Sequence, residues 1–286
     1  MDRYSRIYLM QKIAINAGVL TSFVEKHLGS SAGQSFKSQF LNTQPGPARE
    51  ELIYNQVVKN GLPTQLVPVT IDGPAGTKIT YKVMPDYLML DGIRVTISPY
   101  TAQKIADHFN MLLPTAKMSQ QIYNAADTKV RANPLSSGGY LGADGKQYSA
   151  QDVIQHRIDK SDAAIKYNDL TNQEINKIKQ PGQNLGLIAG HGKDILQPMA
   201  RPNDPSIGGW HGKDGKALQP YSSPHKGEAG SHTEYGLYTR LVDDKANVTL
   251  PDGRVISTSL KKLLNDPQMA SALAAQPGVK TYNPNV

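Results

Sequence analysis

Short β-branched segments that end in tight-turn residues constrain the fold of this chain more than any other feature of its sequence. Asp91-Gly92 joins two such segments, and Pro251-Asp252-Gly253 joins another two. Aspartate and glycine tolerate the positive φ angles that tight hairpin turns require. Each position therefore predicts an antiparallel hairpin, and these hairpins favour an α+β fold over a doubly wound parallel sheet.

Helices with recognisable start signals lie between the predicted strands. Ser98 precedes a proline and a segment with apolar residues at helical spacing, Thr115 begins a second such segment, and Asp266 begins the last one. Serine, threonine and aspartate are the preferred N-cap residues. Ser149 begins another helix, predicted to run to about Lys166. The pattern predicts a single α+β domain with antiparallel hairpins, several helices and one long loop region rich in histidine and glycine.

The N-terminal part of the chain differs from the rest. Residues 1–28 carry apolar side chains on one helical face, whereas residues 29–47 are rich in Gly, Ser and Gln. We expect residues 1–47 to form a helix followed by a flexible arm that contacts another chain or remains mobile. Residues 48–286 then form the α+β core domain.

Composition limits the chemistry and the partners. The chain contains no cysteine, which excludes disulfides, cysteine-ligated metals and a cysteine nucleophile. The net charge of +7 favours an anionic polymer or a component of the cell envelope as partner. The basic residues are scattered rather than clustered, so no specific nucleic-acid site is expected. No stretch of apolar residues is long enough to predict a transmembrane segment.

Histidines crowd into residues 190–240, where they lie among glycines and small polar residues. Histidine is the side chain best suited to proton transfer and metal binding near neutral pH. The segment 191–234 follows a short apolar strand and is predicted to be mostly loop, as functional segments of this length often are. The candidate catalytic residues of this region are His191, Asp194, His211 and His225.

Metal-free acid–base chemistry is the preferred interpretation of these residues. None of the histidines has a recognised metal-ligand spacing, so no cofactor is expected, although the donors would suffice for a metal site and metal binding stays open. His191, oriented by Asp194 or another carboxylate, is the candidate general base, and His225 the candidate acid or substrate-orienting residue. Candidate substrate-binding residues surround them: Lys193, Trp210, His232, Glu234, Tyr235 and Arg240.

Two of these residues have a structural interpretation of equal or greater weight. Trp210 can stack on a sugar or fill the core, and the two roles are equally expected from the sequence. Arg240 can bind a carboxylate or phosphate. Because Arg240 lies within a predicted strand, a structural salt bridge is the stronger expectation for it.

The order of motifs from MPDYLML (84–90) to the C-terminus resembles an uncharacterised family of bacterial proteins, many of them exported. GHGKD (190–194), GWHGKDGKALQPYS (209–222) and EYGLYTRLV (234–242) are similar to the GHKKD, YGWH, IQPL and YSHGxRLV motifs of that family. Gly192 stands where the family has lysine, and Gly236-Leu237 stand where it has Ser-His. The family has no established activity, so the resemblance implies where the site lies and favours an exported or extracellular protein.

We therefore expect a hydrolase or lyase that acts on an extracellular or cell-envelope polymer through a histidine-lined cleft. The alternative is a non-catalytic binding or structural protein, exported or virion-associated, that retains the scaffold of the family. Convergence of His191, His211 and His225 on one pocket would favour the enzyme.

Overall fold

Both predicted hairpins are present in the computed structural model. At the first turn Asp91 has φ 49° and Gly92 φ 74°, and the flanking strands pair antiparallel. At the second turn Gly253 has φ 86° between another antiparallel pair. The structure describes residues 35–63, 65–132, 140–141, 147–148, 160–180, 184–198, 206–212, 214–224, 233 and 235–283. In these residues the chain is an α+β domain.

An antiparallel sheet of five strands forms one layer of the fold. Its strands are β1 (Val67–Asp72), β2 (Lys78–Val83), β5 (Met111–Leu112), β14 (Val242–Thr249) and β15 (Val255–Ser259). Their order is β1-β2-β14-β15, and β5 pairs with β14 as well.

A second sheet of four strands occupies much of the segment that the sequence predicts to be loop. Its order is β12-β11-β10-β13, and the pair β10–β13 is parallel. Every residue of β10 and of β11 is buried, so the strands lack the alternation of apolar and polar residues that identifies a half-exposed strand. The strands are β10 (Lys193–Leu196), β11 (Ser206–His211), β12 (Ala217–Pro224) and β13 (Leu237–Tyr238).

Six short strands form three further pairs. The first hairpin consists of β3 and β4, β6 pairs with β9 in parallel, and β7 pairs with β8 antiparallel. These strands are β3 (Met89–Leu90), β4 (Ile93–Arg94), β6 (Thr128–Lys129), β7 (Tyr140–Leu141), β8 (Gln147–Tyr148) and β9 (Ile188–Ala189).

The helices predicted from Ser98, Thr115 and Asp266 begin where these residues indicate, whereas the start predicted at Ser149 lies outside the described residues. The side chains of Ser98, Thr115 and Asp266 each accept a hydrogen bond from a backbone N–H in the first turn of their helix. The helices are α1 (Phe36–Asn42), α2 (Pro47–Asn60), α3 (Pro99–His108), α4 (Ala116–Ala125), α5 (Lys160–Ile178), α6 (Leu260–Asn265) and α7 (Pro267–Leu273). Helix α5 extends beyond the predicted end near Lys166. None of the described helices is long and apolar enough to cross a membrane.

The prediction of a flexible arm is wrong for the residues that form helix α1. Residues 36–42 were expected to belong to that arm, but they form a helix whose Phe36 and Phe40 are buried in the apolar core. The guanidinium of Arg49, on α2, lies 4.5 Å from the centre of the Phe40 ring. Two phenylalanines four positions apart share one face of a helix, and this outweighs the glycine- and serine-rich composition around them.

The core has two main apolar clusters. One lies around α1, α2 and α3 and includes Phe40, Ile53 and Ile105. The other packs α4, α6 and α7 against the five-stranded sheet. Strand β10 contributes Ile195 to the first cluster, and its N-terminal end carries the GHGKD motif into the interior.

Replacement of Phe40 by alanine should test whether α1 belongs to the core. Because Phe40 is fully buried, we expect Phe40→Ala to lower the free energy of unfolding by about 3–5 kcal/mol, measured by urea denaturation. Lys37→Ala on the exposed face of the same helix is the matched control and should change it by less than about 0.5 kcal/mol. Equal stabilities of the two variants would show that α1 is dispensable.

Candidate functional site

A glycine-flanked turn between β9 and β10 places His191 inside the protein. Gly190 has φ 103°, and a Cβ atom there would lie 2.6 Å from the carbonyl oxygen of Val130. A Cβ at Gly192 would lie 2.6 Å from the rings of both Tyr87 and Tyr238. Only glycine fits on either side of the histidine, and any side chain at position 192 would require movement of these rings.

Of the carboxylates that could orient His191, the structure has Asp86 rather than Asp194 beside it. The His191 side chain is fully buried, and its Nε2 lies 3.1 Å from Oδ1 of Asp86. The ring also stands edge-on to Tyr87, with 4.9 Å between ring centres. The carboxylate and the aromatic ring together fix the imidazole in one orientation.

Arg94 holds Asp86 in place. Its Nη2 donates to Oδ2 of Asp86 at 2.6 Å, and its Nε donates to Oδ1 at 3.2 Å. Helix α5 supports the arginine, because Nη1 of Arg94 donates to Asn172 and the backbone N–H of Arg94 donates to Asn168. The result is a bidentate ion pair with His191 as its third member.

The burial of this cluster decides its protonation. Burial opposes ionisation of Asp86, but the charges and hydrogen bonds of Arg94 and His191 outweigh burial and hold the pKa of Asp86 well below its usual range. Burial lowers the pKa of His191 to about 4, despite the opposing effect of Asp86. At neutral pH the imidazole is therefore neutral. Its Nε2–H donates to Asp86, and its Nδ1 carries a lone pair that has no hydrogen-bond partner among the described residues.

Tyr238 contributes a second unpaired polar atom to the same cluster. Its side chain is fully buried, and its ring centre lies 5.2 Å from that of Tyr87. Burial raises the pKa of the Tyr238 hydroxyl, so the group stays protonated. That hydroxyl also has no hydrogen-bond partner among the described residues.

Asp194 belongs to a neighbouring network. It accepts a hydrogen bond from the Ser119 hydroxyl on α4. Burial raises the pKa of Asp194, whereas the charge of Arg240 and the hydrogen bond from Ser119 oppose that rise. Arg240 donates to the carbonyls of Met84 and Ile188, and its guanidinium lies 4.6 Å from the Tyr87 ring centre. Arg240 is 1% exposed, and its two hydrogen bonds link backbone segments inside the core.

Lys193, Trp210 and Tyr235 pack together. The Lys193 ammonium lies 4.5 Å from the centre of the Trp210 ring and 5.7 Å from that of Tyr235. Trp210 has φ 60°, an unfavourable backbone conformation for a bulky residue. Its Nε1–H donates to the Tyr167 hydroxyl, which donates in turn to the carbonyl of His191. Trp210 and Tyr235 are almost wholly buried, so the described structure places them in the core beside the site.

The backbones of His211 and His191 lie close together, but the two side chains have different contacts. The backbone N–H of His211 donates to the Gly190 carbonyl at 2.8 Å. Its ring, however, stacks on Tyr123 with 3.4 Å between ring centres, whereas the His191 ring contacts Asp86 and Tyr87. Burial lowers the pKa of His211 to about 4 as well.

Three of the candidate residues, His225, His232 and Glu234, lie outside the described residues. Gly236 accepts a hydrogen bond from the backbone N–H of Lys193, and Leu237 is fully buried in the apolar core. Within the described ranges no group of three or more histidine, aspartate or glutamate residues could hold a metal ion.

Sequence reasoning missed Asp86, Arg94 and Tyr238. Asp86 lies in MPDYLML, where it is the only ionisable residue besides a tyrosine. A buried strand followed directly by a lone carboxylate was a usable signal. Arg94 and Tyr238 lie in strands and had no such signal.

No protein-family model, curated protein or solved structure matches this chain. The geometry of the site is therefore the basis on which a function can be assigned.

The depressed pKa of His191 predicts a pH dependence of stability. The pKa of the His191 imidazole is 6.5 when it is unperturbed and about 4 in the folded protein. Between these two pH values the unfolded chain therefore binds one proton more than the folded protein. Stability from this group is complete above pH 6.5 and is lost as the pH falls towards 4. Urea unfolding of wild type and His191→Gln should show a wild-type slope steeper by up to about 1.4 kcal/mol per pH unit in this window. His211 contributes equally to both proteins and cancels. Parallel curves would contradict the shift.

Proposed function

We propose that this protein is an acid–base enzyme, a hydrolase or lyase, in which His191 is the general base. One observation carries the proposal. The Asp86 carboxylate accepts the Nε2–H of a neutral imidazole, and this leaves Nδ1 as a buried proton acceptor without a partner among the described residues. A carboxylate that fixes the tautomer and orientation of a histidine is a recurrent arrangement in acid–base catalysis.

The electrostatics of the cluster suit proton uptake during a reaction. The low pKa keeps His191 unprotonated at neutral pH, as a base must be before it reacts. Asp86, kept ionised by Arg94, would stabilise the imidazolium that forms when Nδ1 takes a proton. Arg94 and Asp86 thus supply a fixed counter-charge that needs no rearrangement during the reaction.

An anionic polymer outside the cell is the proposed substrate class. The chain carries a net charge of +7, which raises the local concentration of an anionic polymer and speeds its association. The resemblance to exported bacterial proteins agrees with a substrate in the cell envelope or beyond it. Peptidoglycan and uronic-acid polysaccharides are the substrates to test first.

The test compares His191→Gln with wild type on purified peptidoglycan and on uronic-acid polysaccharides. Glutamine retains an N–H that can donate to Asp86 but has no basic nitrogen. We expect kcat/KM to fall by about 10²- to 10⁴-fold, the usual contribution of a general base. New reducing ends or free amino groups would report cleavage, and ultraviolet absorbance of unsaturated products would distinguish a lyase from a hydrolase.

His108→Gln is the matched control for this experiment. His108 is exposed on α3, outside the buried cluster, so the same substitution there should leave activity unchanged. Thermal melting of both variants checks that the fold is intact. A folded His191→Gln protein as active as His108→Gln would refute the proposed role.

A second candidate function is a non-catalytic binding or structural role. It is favoured by the complete burial of His191 and by Leu237, an apolar core residue at the histidine position of the similar family. In that case Asp86, Arg94 and His191 cross-link the fold only. Polymer binding without turnover, unchanged in His191→Gln while the melting temperature falls, would support this role.

A further inference from the structure

Two buried atoms of the site have complementary hydrogen-bonding needs. Nδ1 of His191 is an acceptor, because the single proton of the neutral ring is on Nε2 and is donated to Asp86. The hydroxyl of Tyr238 is a protonated phenol and therefore a donor. Both side chains are 0% exposed, and both rings pack on Tyr87. Buried polar atoms are rarely left unpaired, and ordered water is a common partner when protein groups are not.

The charges around His191 favour a neutral molecule as the hydrogen-bond partner of these two atoms. A cation would be repelled by Arg94 and Arg240, whose charges act on the His191 ring. An anion could not donate a hydrogen to the lone pair of Nδ1 and would lie close to the ionised Asp86. A hydroxyl group meets both needs, since its oxygen accepts and its hydrogen donates. Water is the smallest molecule that supplies one.

We propose that a buried water molecule accepts a hydrogen bond from the Tyr238 hydroxyl and donates one to Nδ1 of His191, and that it is the nucleophile of a hydrolytic reaction. The second part rests on the proposed function and selects hydrolase over lyase. The water oxygen forms a bond to the electrophilic atom of the substrate while one water proton passes to Nδ1. The bond to the leaving group then breaks, and the leaving atom takes that proton from His191. Tyr238 keeps its proton and acts as a positioning residue.

A double-mutant cycle of Tyr238→Phe and His191→Gln tests the water bridge without any activity assay. Each substitution removes one side of the bridge and keeps most of the side-chain volume. If both atoms hold one water, the second substitution should disturb stability less once the first is present. We expect the unfolding equilibrium constants, from urea denaturation, to be non-additive by about threefold or more. Additivity would overturn the bridge.

Tyr167→Phe paired with His191→Gln is the matched control cycle. Tyr167 belongs to the same aromatic cluster, but its hydroxyl donates to the backbone carbonyl of residue 191, which remains in the glutamine variant. We expect this cycle to be additive. Non-additivity of equal size in both cycles would show that the coupling comes from ring packing, and it would overturn the bridge.

A measurement on the wild-type protein guards against variants that fail to fold. In protein labelled with nitrogen-15 at histidine, Nδ1 of His191 should resonate upfield of an acceptor nitrogen that has no hydrogen bond. The shift of a bare acceptor would overturn the bridge.

The outcomes separate this inference from the proposed function. An additive cycle together with a fully inactive His191→Gln variant would overturn the water bridge and support the general base. A non-additive cycle in a protein that degrades no polymer would support the water bridge and overturn the proposed enzyme. Unsaturated products would overturn the nucleophilic role of the water.

Discussion

The buried ion pair of Asp86 and Arg94 is the interaction on which the site depends. Asp86 follows β2, and Arg94 belongs to β4, so the pair closes the first hairpin against the five-stranded sheet. The same two residues hold His191, before β10, and Asn168, on α5. Removal of two charges from water is costly, and the cost is offset only when every remaining donor and acceptor is paired. The fold reduces this cost by bringing hydrogen-bond partners from four separate segments to one point.

Tyr87 connects this ion pair to the neighbouring network. Its ring contacts the rings of His191 and Tyr238, and the guanidinium of Arg240 packs on it as well. Its hydroxyl donates to the carbonyl of Gly192. A shift of this ring would therefore disturb the turn that carries His191. The Tyr87 ring occupies the space that a side chain at position 192 would need. A glycine at position 192 and the position of the Tyr87 ring therefore depend on each other.

The parts of this structure that were predictable from sequence are local. The turn at Asp91-Gly92 and the helix start at Ser98 depend on residues close together in the chain, and both were found. The partner of His191 lies 105 positions away, at Asp86, and no local pattern reports such a distance. Strands β10 and β11 were missed because burial of both faces removes the alternation by which a strand is recognised. Phe40 was missed because the composition of its neighbours outweighed the spacing of two aromatic residues.

The register of β13 decides which of its two side chains enters the apolar core. Leu237 lies in the apolar core, whereas Tyr238 lies in the aromatic cluster with Tyr87, so the two side chains leave the strand on opposite faces. The backbone of Leu237 pairs with Lys193 in β10, and this register fixes which face each residue takes. A histidine at 237 would enter apolar surroundings that offer an imidazole little to bond, so the apolar leucine suits this face. The polar group that this strand places in the aromatic cluster beside Tyr87 is therefore the hydroxyl of residue 238.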